Sequence, residues 1–422
     1  MNEHDSEKLA GILSSIGYTE CSNLMNADII LLNTCSVREK SYNKVFTFLG
    51  KLKKIKEKNP QLIIGVCGCV AQQEGTAIFK RATFVDFLIG PRSMASLPDL
   101  LEEVSFHHRI ADLEMRNDFA SLPYPQFSRT TFPSAYMTIM EGCNRACSYC
   151  IVPQTRGREV CRSFADIIDE ARLLAETGYL EIELLGQNVN AYKFESKSFI
   201  DLLSELSSVE QLKRIRFTTS HPFHLNADLM QLMKLNSKIC NHLHLPVQSG
   251  STKILALMKR GYNAEEYEEK ALWLKENIKD FTLSTDIIVG FPGEGDADFQ
   301  KTIKLVESIK YDQIYSFAYS PRPNTEARLK MADDLPIKEK MERLHYLQSM
   351  QSALQEKLNR EWTGRNVEVL VEGKSKKSES MLTGRTTNNK IVNFKGAASP
   401  NGKLLYVRIT DSSTHSLIGE AI

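Results

Sequence analysis

The sequence has 422 residues, 42% of them hydrophobic and 25% charged, which is an ordinary globular composition with enough length for about two to three domains. With 53 lysines and arginines against 52 acidic residues, the whole chain has no net attraction for phosphate, so any nucleic-acid contact needs local basic patches. The sequence has neither an apolar run long enough to span a membrane nor the pattern of a signal peptide, and we expect a cytoplasmic protein without membrane contact.

The N-terminal part of the sequence alternates apolar runs with amphipathic stretches. The apolar runs are DIILLNT (28–34), LIIGVCG (62–68) and VDFLIG (85–90). This order predicts a doubly wound parallel α/β domain over residues 1–105. A helix beginning near His4 precedes the first of these strands, so we expect a further strand and its loop upstream of Met1.

A second alternation of strands and helices follows residues 106–133, whose mixed charge and three prolines predict a linker. The predicted strands are YMTIM (136–140), EIELLG (181–186), RIRFTTS (214–220), HLHLPV (242–247), LSTDIIVGF (283–291) and residues 313–318. Six strands with intervening helices predict an open, partial (β/α) barrel over residues 134–361. The short alternating runs of residues 362–422 predict a small antiparallel β-barrel with a core of its own.

Nine cysteines in a reducing cytoplasm indicate metal ligation or catalysis and not disulfides. The strongest cluster is Cys143, Cys147 and Cys150 in EGCNRACSYC, a C-x3-C-x2-C pattern directly after a predicted barrel strand. Structural zinc sites usually take four ligands, so three thiolates favour a [4Fe–4S] cluster with one open iron over a zinc or purely structural site. The carboxyl ends of the strands are also where a (β/α) barrel places its active site.

This cysteine spacing resembles that of radical S-adenosylmethionine enzymes, in which the amino-acid end of the cofactor occupies the open iron. In that pattern Gly186 and Gln187 would bind the methionine amine, and Tyr149 would lie near the adenine. Small and polar residues in the segments that end the other predicted strands are further candidates for cofactor binding: His221, Gln248, Ser249, Gly250, Asp286 and Gly290. The alternatives are an ordinary strand-to-helix turn for Gln187 and a core position for Tyr149.

Two further cysteines follow strands of the N-terminal domain. Cys35 comes directly after DIILLNT, and Cys69 comes after LIIGVCG, so both lie at the carboxyl ends of parallel strands, where such sheets bind ligands. Cys21 precedes a strand, and Cys67 is expected to point into the sheet as an apolar residue. Two converging thiols could bind a metal, or they could be a pair of buried cysteines.

Longer strings carry a resemblance to one family. They are NTCSVREKSYNKVFTFLG, GCVAQ, EGCNRACSYCIVPQTRGREV, LLGQNVNAY, LHLPVQSGS, STDIIVGFPGE and FAYSPRPNTEA. Over essentially its whole length the sequence resembles the methylthiotransferase family of radical S-adenosylmethionine enzymes, and within it the tRNA branch. Its tail resembles the family's RNA-binding TRAM domain. The family has a further cysteine just upstream of the position of Met1, which would complete the site of Cys35 and Cys69.

The resemblance implies an enzyme with two [4Fe–4S] clusters. The cluster on Cys143, Cys147 and Cys150 would generate a 5′-deoxyadenosyl radical, and the cluster on Cys35 and Cys69 would hold the sulfur to be inserted. One S-adenosylmethionine would methylate that sulfur and a second would be cleaved. The product would be 2-methylthio-N6-dimethylallyladenosine, formed at the adenosine immediately 3′ of the tRNA anticodon. A one-electron donor such as a flavodoxin or ferredoxin, and proteins that deliver sulfur and clusters, are implied as partners of an enzyme expected to be monomeric.

Basic residues in two segments are candidates for RNA contacts. Arg385, Lys390 and Lys395 lie among asparagines and a phenylalanine in the tail, a mixture typical of small barrels that bind RNA. Arg156 and Arg158, next to the cysteine cluster, could contact the phosphates of the anticodon loop. The alternatives are a solvated surface for the lysines and structural ion pairs for the two arginines.

Two other functions remain open from the sequence. A sister branch of the family methylthiolates a ribosomal-protein side chain, although NTCSVREK, RGREV and LLGQNVN resemble the tRNA branch more closely. An iron–sulfur protein that binds RNA without inserting sulfur is the second alternative, because one expected cluster ligand lies outside this sequence.

Overall fold

The computed structural model describes residues 1–36, 39–106, 109–119, 129, 131–375, 378–396 and 402–422. The chain divides into two compact units, each with its own interior. The first unit contains Met1–Thr130, Met140–Arg145 and Cys150–Arg162, and the second contains Thr131–Ile139, Ala146–Tyr149 and Ser163–Ile422. Within the described parts of the chain, no helix is both long enough and apolar enough to cross a membrane.

The first unit is built on a parallel sheet. Its elements before residue 131 are α1 (Asn2–Ser15), β1 (Ile29–Thr34), α2 (Glu39–Lys58), β2 (Ile63–Gly68), α3 (Cys69–Glu74), α4 (Ala77–Arg81), β3 (Phe87–Ile89), α5 (Leu97–Val104) and β4 (Ile110–Asp112). Among the described residues, the four strands pair in parallel in the order β1-β2-β3-β4.

Helices cover both faces of this sheet. Leu49 of α2 and Ile78 of α4 pack with Ile64 on one face. On the other face, Leu9 of α1 and Leu97 of α5 pack in a second core. These buried apolar side chains explain why the strands read as continuous apolar runs, and the predicted parallel sheet covered by helices is confirmed.

Strand β4 lies within residues 106–133, which the sequence predicted to be a linker. Ile110 pairs with Phe87 of β3, so this part of the prediction is wrong. None of the three residues of β4 is buried, and so short an edge strand leaves no periodicity in the sequence. Residues 107–108, 120–128 and 130 of the predicted linker lie outside the described residues.

Strand β5 (Ser134–Thr138) begins the second unit, and the chain then returns briefly to the first. There β6 (Met140–Glu141) pairs antiparallel with β7 (Val160–Cys161), and α6 (Val152–Thr155) lies between them in the chain. This ladder joins the two ends of the loop that carries the three clustered cysteines.

The second unit continues with the remaining strands of the barrel and their helices. In chain order these elements are α7 (Phe164–Glu176), β8 (Glu181–Leu185), β9 (Lys193–Phe194), β10 (Lys197–Ser198), α8 (Phe199–Ser208), β11 (Arg214–Phe217), α9 (Ala227–Leu235), β12 (His242–His244), α10 (Thr252–Leu257), α11 (Ala264–Asn277), β13 (Thr282–Val289), α12 (Asp296–Ile309), β14 (Gln313–Ala318), α13 (Glu326–Lys330) and α14 (Ile337–Arg360). Helices α8 and α11 each begin at a capping box. Ser198 and Asp201 form the box of α8, and Asn263 and Glu266 form that of α11.

The six predicted barrel strands are all present. Strands β5, β8 and β11 form one parallel sheet, and β12, β13 and β14 form another. An isolated parallel bridge pairs Ile215 of β11 with Ile239, three residues before β12. The open, partial (β/α) barrel is therefore confirmed.

The tail forms a small closed barrel. Its described strands are β15 (Asn366–Ser375), β16 (Ser378–Arg385), β17 (Ile391–Lys395), β18 (Leu404–Ser412) and β19 (Leu417–Ala421), in the order β15-β16-β17-β19-β18. Val369, Phe394 and Ile409 lie in its own apolar core, as predicted. One detail differs from the predicted antiparallel barrel, because β17 and β19 run parallel.

The turn between β16 and β17, residues 386–390, packs against the amino ends of the (β/α) barrel strands. Arg216 of β11 donates hydrogen bonds to the carbonyls of Thr386 and Thr387. The hydroxyl of Thr282, the first residue of β13, donates to the carbonyl of Asn388. The tail therefore covers the end of the barrel opposite to the carboxyl ends of its strands.

Candidate active site

The residues predicted to bind a cofactor lie at the carboxyl ends of the barrel strands. Gly186 and Gln187 directly follow β8, and His221 follows β11. Gln248, Ser249 and Gly250 follow β12, whereas Asp286 lies within β13 and Gly290 follows it. The fold thus brings these positions to one end of the barrel, as a (β/α) barrel requires for its active site.

Polar side chains also pair across β12 and β13, from the amino ends of these strands as far as Asp286. His244 Nε2 lies 3.6 Å from Asp286 Oδ2, and His244 Nδ1 lies 2.9 Å from Ser284 Oγ. His242 forms the next pair, with its Nδ1 2.9 Å from Thr282 Oγ1. Sequence analysis missed His244, although the alternation in HLHLPV places both histidines on the same face of the strand.

Two of the predicted cofactor positions are turned towards a helix of the barrel wall. The Ser249 hydroxyl is fully buried, 3.4 Å from Thr302 Oγ1 of α12. A Cβ at Gly250 would lie 2.5 Å from Thr302 Cα, so this glycine is required by close packing. Both residues thus join the strand end to α12, and their role in cofactor binding stays a prediction.

Gly290 and His221 are also held by neighbouring residues. Gly290 has φ +70°, and a Cβ there would lie 2.4 Å from the side chain of Lys340 on α14. The Asn190 side chain bonds both the N–H and the carbonyl of His221. His221 Nδ1 accepts a hydrogen bond from the Phe223 amide. These contacts make both strand ends rigid.

The second unit contains Cys147 and Tyr149 of the cysteine loop. Both side chains accept hydrogen bonds from the guanidinium of Arg260, at 3.4 Å from Cys147 Sγ and 3.3 Å from Tyr149 Oη. Burial alone would lower the pKa of Arg260, but Tyr149, Tyr262 and Cys147 outweigh it and raise that pKa well above its ordinary value. A permanent cation therefore lies beside one of the clustered thiols, and sequence analysis did not find it.

Cys143 and Cys150 belong to the first unit. The amide of Cys143 donates to the Gly157 carbonyl at 3.1 Å, and its Sγ accepts from the Arg145 amide at 3.4 Å. Both side chains are half-buried, as is that of Cys147. No set of three or more histidine, cysteine and acidic side chains that could hold a metal ion is formed among the described residues. The donor set itself, three partly accessible thiols in one loop with a cationic donor at one of them, fits an iron–sulfur cluster.

Cys35 and Cys69 follow neighbouring strands of the first unit in register. Thr34 of β1 pairs with Gly68 of β2, and each cysteine comes one residue later. The Thr34 hydroxyl donates to the Cys67 carbonyl and accepts from the Val70 amide at 3.1 Å, so it ties the two strand ends together. The prediction that both thiols lie at the carboxyl edge of the sheet is thus matched by the structure.

The other two cysteines of the N-terminal part differ in their surroundings. Cys67 is completely buried in the core between the sheet, α1 and α5, and burial raises the pKa of its thiol. Cys21 is exposed. Cys67 is therefore a core residue, as expected.

Arg156 lies in the interior of the first unit and not on an RNA-facing surface. Its Nη2 is 2.5 Å from Asp5 Oδ2, and its Nε is 3.4 Å from Cys69 Sγ. Burial would lower the pKa of Arg156, but Asp5 and Cys69 raise it well above its ordinary value. The structural ion pair is thus the correct alternative for Arg156, whereas the Arg158 side chain is exposed.

The basic residues of the tail that were predicted to contact RNA differ in how far they are buried. Lys390 is buried and forms an ion pair with Asp312, and Phe394 belongs to the core of the small barrel. Arg385 is partly buried and paired with Glu372. Of the three RNA contacts predicted in the tail, Lys395 alone has an exposed side chain. The expectation for Lys390 is corrected because this lysine joins the tail to the barrel.

Three family models match consecutive parts of the chain. The radical SAM superfamily matches residues 137–306, the uncharacterized protein family UPF0004 matches residues 1–90, and the TRAM domain matches residues 360–422. Full-length relatives named tRNA-2-methylthio-N(6)-dimethylallyladenosine synthase occur in several bacteria. Those of Acetivibrio thermocellus and Coxiella burnetii are each 44% identical, over 100% of this chain and 89% and 97% of the relatives.

The chain belongs to the radical S-adenosylmethionine methylthiotransferase family. It is therefore an enzyme that uses S-adenosylmethionine and a [4Fe–4S] cluster. This methylthiotransferase also shares its fold with more distant proteins. The radical S-adenosylmethionine methyltransferase TsrM from Kitasatospora setae, solved with tryptophan and a cofactor analog bound, has a TM-score of 0.57 at 13% identity. That match covers 78% of this chain and 72% of TsrM, and it supports the fold alone.

Proposed function

We propose that this methylthiotransferase adds a methylthio group to C2 of N6-dimethylallyladenosine, the adenosine immediately 3′ of the tRNA anticodon. The observation that carries the proposal is 44% identity, along the entire chain, to relatives named for that product. The matched TRAM domain is consistent with a tRNA substrate, and an enzyme with that substrate would act in the cytoplasm.

Each part of the chain has a proposed role. Residues 1–105, together with β4, form the domain of the auxiliary cluster, and the rest of residues 106–133 forms the linker. Residues 134–361 form the radical barrel, and residues 362–422 form the RNA-binding domain. Support comes from the parallel sheet, the open barrel and the closed small barrel that occupy these segments in turn.

The three loop cysteines are the proposed ligands of the radical-generating cluster. Cys143, Cys147 and Cys150 would each hold one iron, and the open iron would bind the amino acid end of S-adenosylmethionine. When bound, this pair of groups supplies a deoxyadenosyl radical after one-electron reduction. Gln187 and Asp286 are proposed cofactor contacts, because Gln187 follows the carboxyl end of β8 and Asp286 lies in the second half of β13.

A second [4Fe–4S] cluster is proposed at the carboxyl edge of the first unit's sheet, with Cys35 and Cys69 as two of its ligands. The register that places them on adjacent strands supports this role. Arg156 would neutralise part of the charge of the Cys69 thiolate. An external reductant, such as a flavodoxin or ferredoxin, and proteins that renew sulfur and clusters would complete the system, with the enzyme as a monomer.

The dimethylallyl group is the proposed determinant of substrate choice. Presenting C2 of the adenine to a buried site requires the base to leave its stack, which costs a few kcal/mol. Complete burial of the five carbons of the isoprenoid would be worth about 3 kcal/mol at most, at roughly 0.8 kcal/mol per CH2. That free energy corresponds to a preference of about a hundredfold.

The test compares one tRNA with and without the dimethylallyl group. Methylthio product is measured by mass spectrometry under single turnover, and we expect product from the modified tRNA at about a hundredfold higher efficiency. Similar rates and affinities for both tRNAs would contradict the isoprenoid argument. Product on a ribosomal protein and on neither tRNA would replace the proposed function with that of the sister branch.

A further inference from the structure

Arg260 is an interior cation that contacts the cysteine loop. Only 4% of the residue is exposed. Its Nη1 donates to Cys147 Sγ at 3.4 Å and to Tyr149 Oη at 3.3 Å, and its Nη2 donates to the Pro246 carbonyl at 2.8 Å. The guanidinium therefore joins the loop to the end of a neighbouring barrel strand.

The orientation of Arg260 is set by further contacts. Its Nε donates to Tyr262 Oη at 2.9 Å, and the Tyr262 hydroxyl lies 2.9 Å from the Val247 carbonyl, to which it donates. The Arg260 amide bonds to the Leu255 carbonyl of α10 at 3.0 Å. Because the guanidinium is planar and its donors point in fixed directions, these anchors determine where Nη1 points.

The same end of α10 also holds the loop backbone between Cys147 and Tyr149. The Ser148 amide donates to the Met258 carbonyl at 3.1 Å, and its hydroxyl donates to the Leu257 carbonyl at 2.8 Å. Cys147 is thus held from two sides, through its neighbour's backbone and through its own sulfur.

We propose that Arg260 is a positioning residue that fixes the Cys147 sulfur and raises the reduction potential of the cluster bound there. This inference rests on the proposed assignment of Cys147 as a cluster ligand. Reduction adds one negative charge to an iron–sulfur cluster, and an N–H donor or a cation at a ligating sulfur stabilises that reduced form. A guanidinium at a thiolate supplies both effects, and that of Arg260 is itself almost entirely shielded from water.

The experiment compares the full-length wild type with Arg260→Gln, Arg260→Lys and Lys259→Gln after anaerobic reconstitution. Lys259 is the matched control, because it is the adjacent cation, is half-exposed and pairs with Glu326 on the surface. Iron and sulfide are counted, and the midpoint potential of the cluster is measured by a reductive titration followed by electron paramagnetic resonance. All four proteins, including the one called wild type in this comparison, also carry Cys69→Ala, which removes a ligand of the proposed auxiliary cluster so that its signal does not interfere.

We expect Arg260→Gln to shift the one-electron reduction equilibrium at least tenfold against the reduced cluster, which is about 59 mV towards more negative potential. Arg260→Lys should shift it less, because the charge remains but the fixed fork of donors is lost. Lys259→Gln should match the wild type. If Arg260→Gln does not retain iron but Arg260→Lys does, the role of Arg260 in fixing the Cys147 sulfur is supported. Its effect on the reduction potential is then judged from the potential of Arg260→Lys.

Two results would overturn the inference. An unchanged potential in Arg260→Gln, with normal iron content, would leave Arg260 with a purely structural role while the cluster assignment stands. Equal shifts in Arg260→Gln and Lys259→Gln would attribute the effect to general charge and not to the contact. If the wild-type loop binds no cluster, the proposed function itself fails, and the inference fails with it.

Discussion

The ammonium group of Lys390 in the tail lies 2.7 Å from the carboxylate of Asp312, which directly precedes β14 of the (β/α) barrel. Lys390 also donates to the side-chain oxygen of Asn359 at 2.9 Å. Both side chains of this ion pair are largely buried. Lys390 belongs to the turn of residues 386–390, which also accepts hydrogen bonds from Arg216. A basic residue of the TRAM domain is therefore part of the contact that holds this domain to the barrel.

Replacing Lys390 by Met should lower the free energy of unfolding by about 1–3 kcal/mol, because Asp312 and Asn359 lose a buried donor. The matched variant is Lys395→Met, whose parent side chain is exposed on β17. It should change stability by less than about 0.5 kcal/mol. Urea unfolding of the two variants measures the difference.

The same two variants should differ in the affinity and salt dependence of their tRNA binding. Lys395→Met should weaken binding and reduce the salt dependence by about one unit of slope, as expected for a lost phosphate contact. Lys390→Met should retain the wild-type slope under conditions in which it is folded. A reduced slope for Lys390→Met alone would show that Lys390 contacts RNA despite its burial.

Sequence patterns predicted the barrel strands because each is an apolar run of several residues between turn signals. Strand β4 was missed because it has three residues and none is buried. Charge patterns were less successful at predicting contacts with RNA. Arg156 and Lys390 lie in segments whose basic residues suggest RNA binding, but both form ion pairs. Their partners, Asp5 and Asp312, are 151 and 78 residues away in the sequence. No local pattern reveals such a pairing.

The residues of the candidate active site were likewise predictable only where a local sequence pattern marks them. The cysteine positions were predictable, because ligand spacing is local and the strand ends were clear. His244 and Arg260 were not found, since a lone histidine in a strand and a basic residue in a helix-to-helix loop have no distinctive pattern. Ser249 and Gly250 were predicted to bind the cofactor, and their close packing against α12 is a second reason for their small size that no local pattern reveals.

Each of the variants Cys143→Ala, Cys147→Ala and Cys150→Ala should abolish formation of 5′-deoxyadenosine. A cluster held by three thiolates loses iron when one of them is removed. The assay measures deoxyadenosine after addition of dithionite and S-adenosylmethionine. Cys161→Ser is the control, because Cys161 lies in β7 and is not a proposed ligand. Normal yield from any of the three alanine variants would contradict the assignment.

Substitutions at Cys67 and Cys69, two residues apart, should distinguish a role in the core of the sheet from a role in binding the cluster. Cys69→Ala should lose the auxiliary iron and the methylthio product while it still forms deoxyadenosine. Cys67→Ala removes a completely buried side chain from the core of the sheet, so it should cost about 1 kcal/mol of stability and keep both clusters. Iron and sulfide counts and mass spectrometry of the tRNA measure the outcome. The reverse pattern would identify Cys67 as the ligand.

The last prediction concerns acid stability and His4. Burial lowers the pKa of this histidine from 6.5 to about 4, although a hydrogen bond with Glu7 favours the charged form. Below pH 6.5 the unfolded chain therefore binds a proton that the folded chain excludes until about pH 4. The contribution of neutral His4 to stability is complete above pH 6.5 and is lost as the pH falls through that window.

At pH 5 this linkage should remove about 2 kcal/mol from the free energy of unfolding relative to pH 7, at 1.36 kcal/mol per unit. His4→Gln cannot take up the proton, so the difference between the two pH values should shrink by that amount in urea titrations. It should not vanish, because burial also lowers the pKa of His242. His345→Gln, at an exposed position of α14, should retain the wild-type difference. If His4→Gln retains it as well, His4 is protonated in the folded protein at pH 5, and the stated direction of its pKa is wrong.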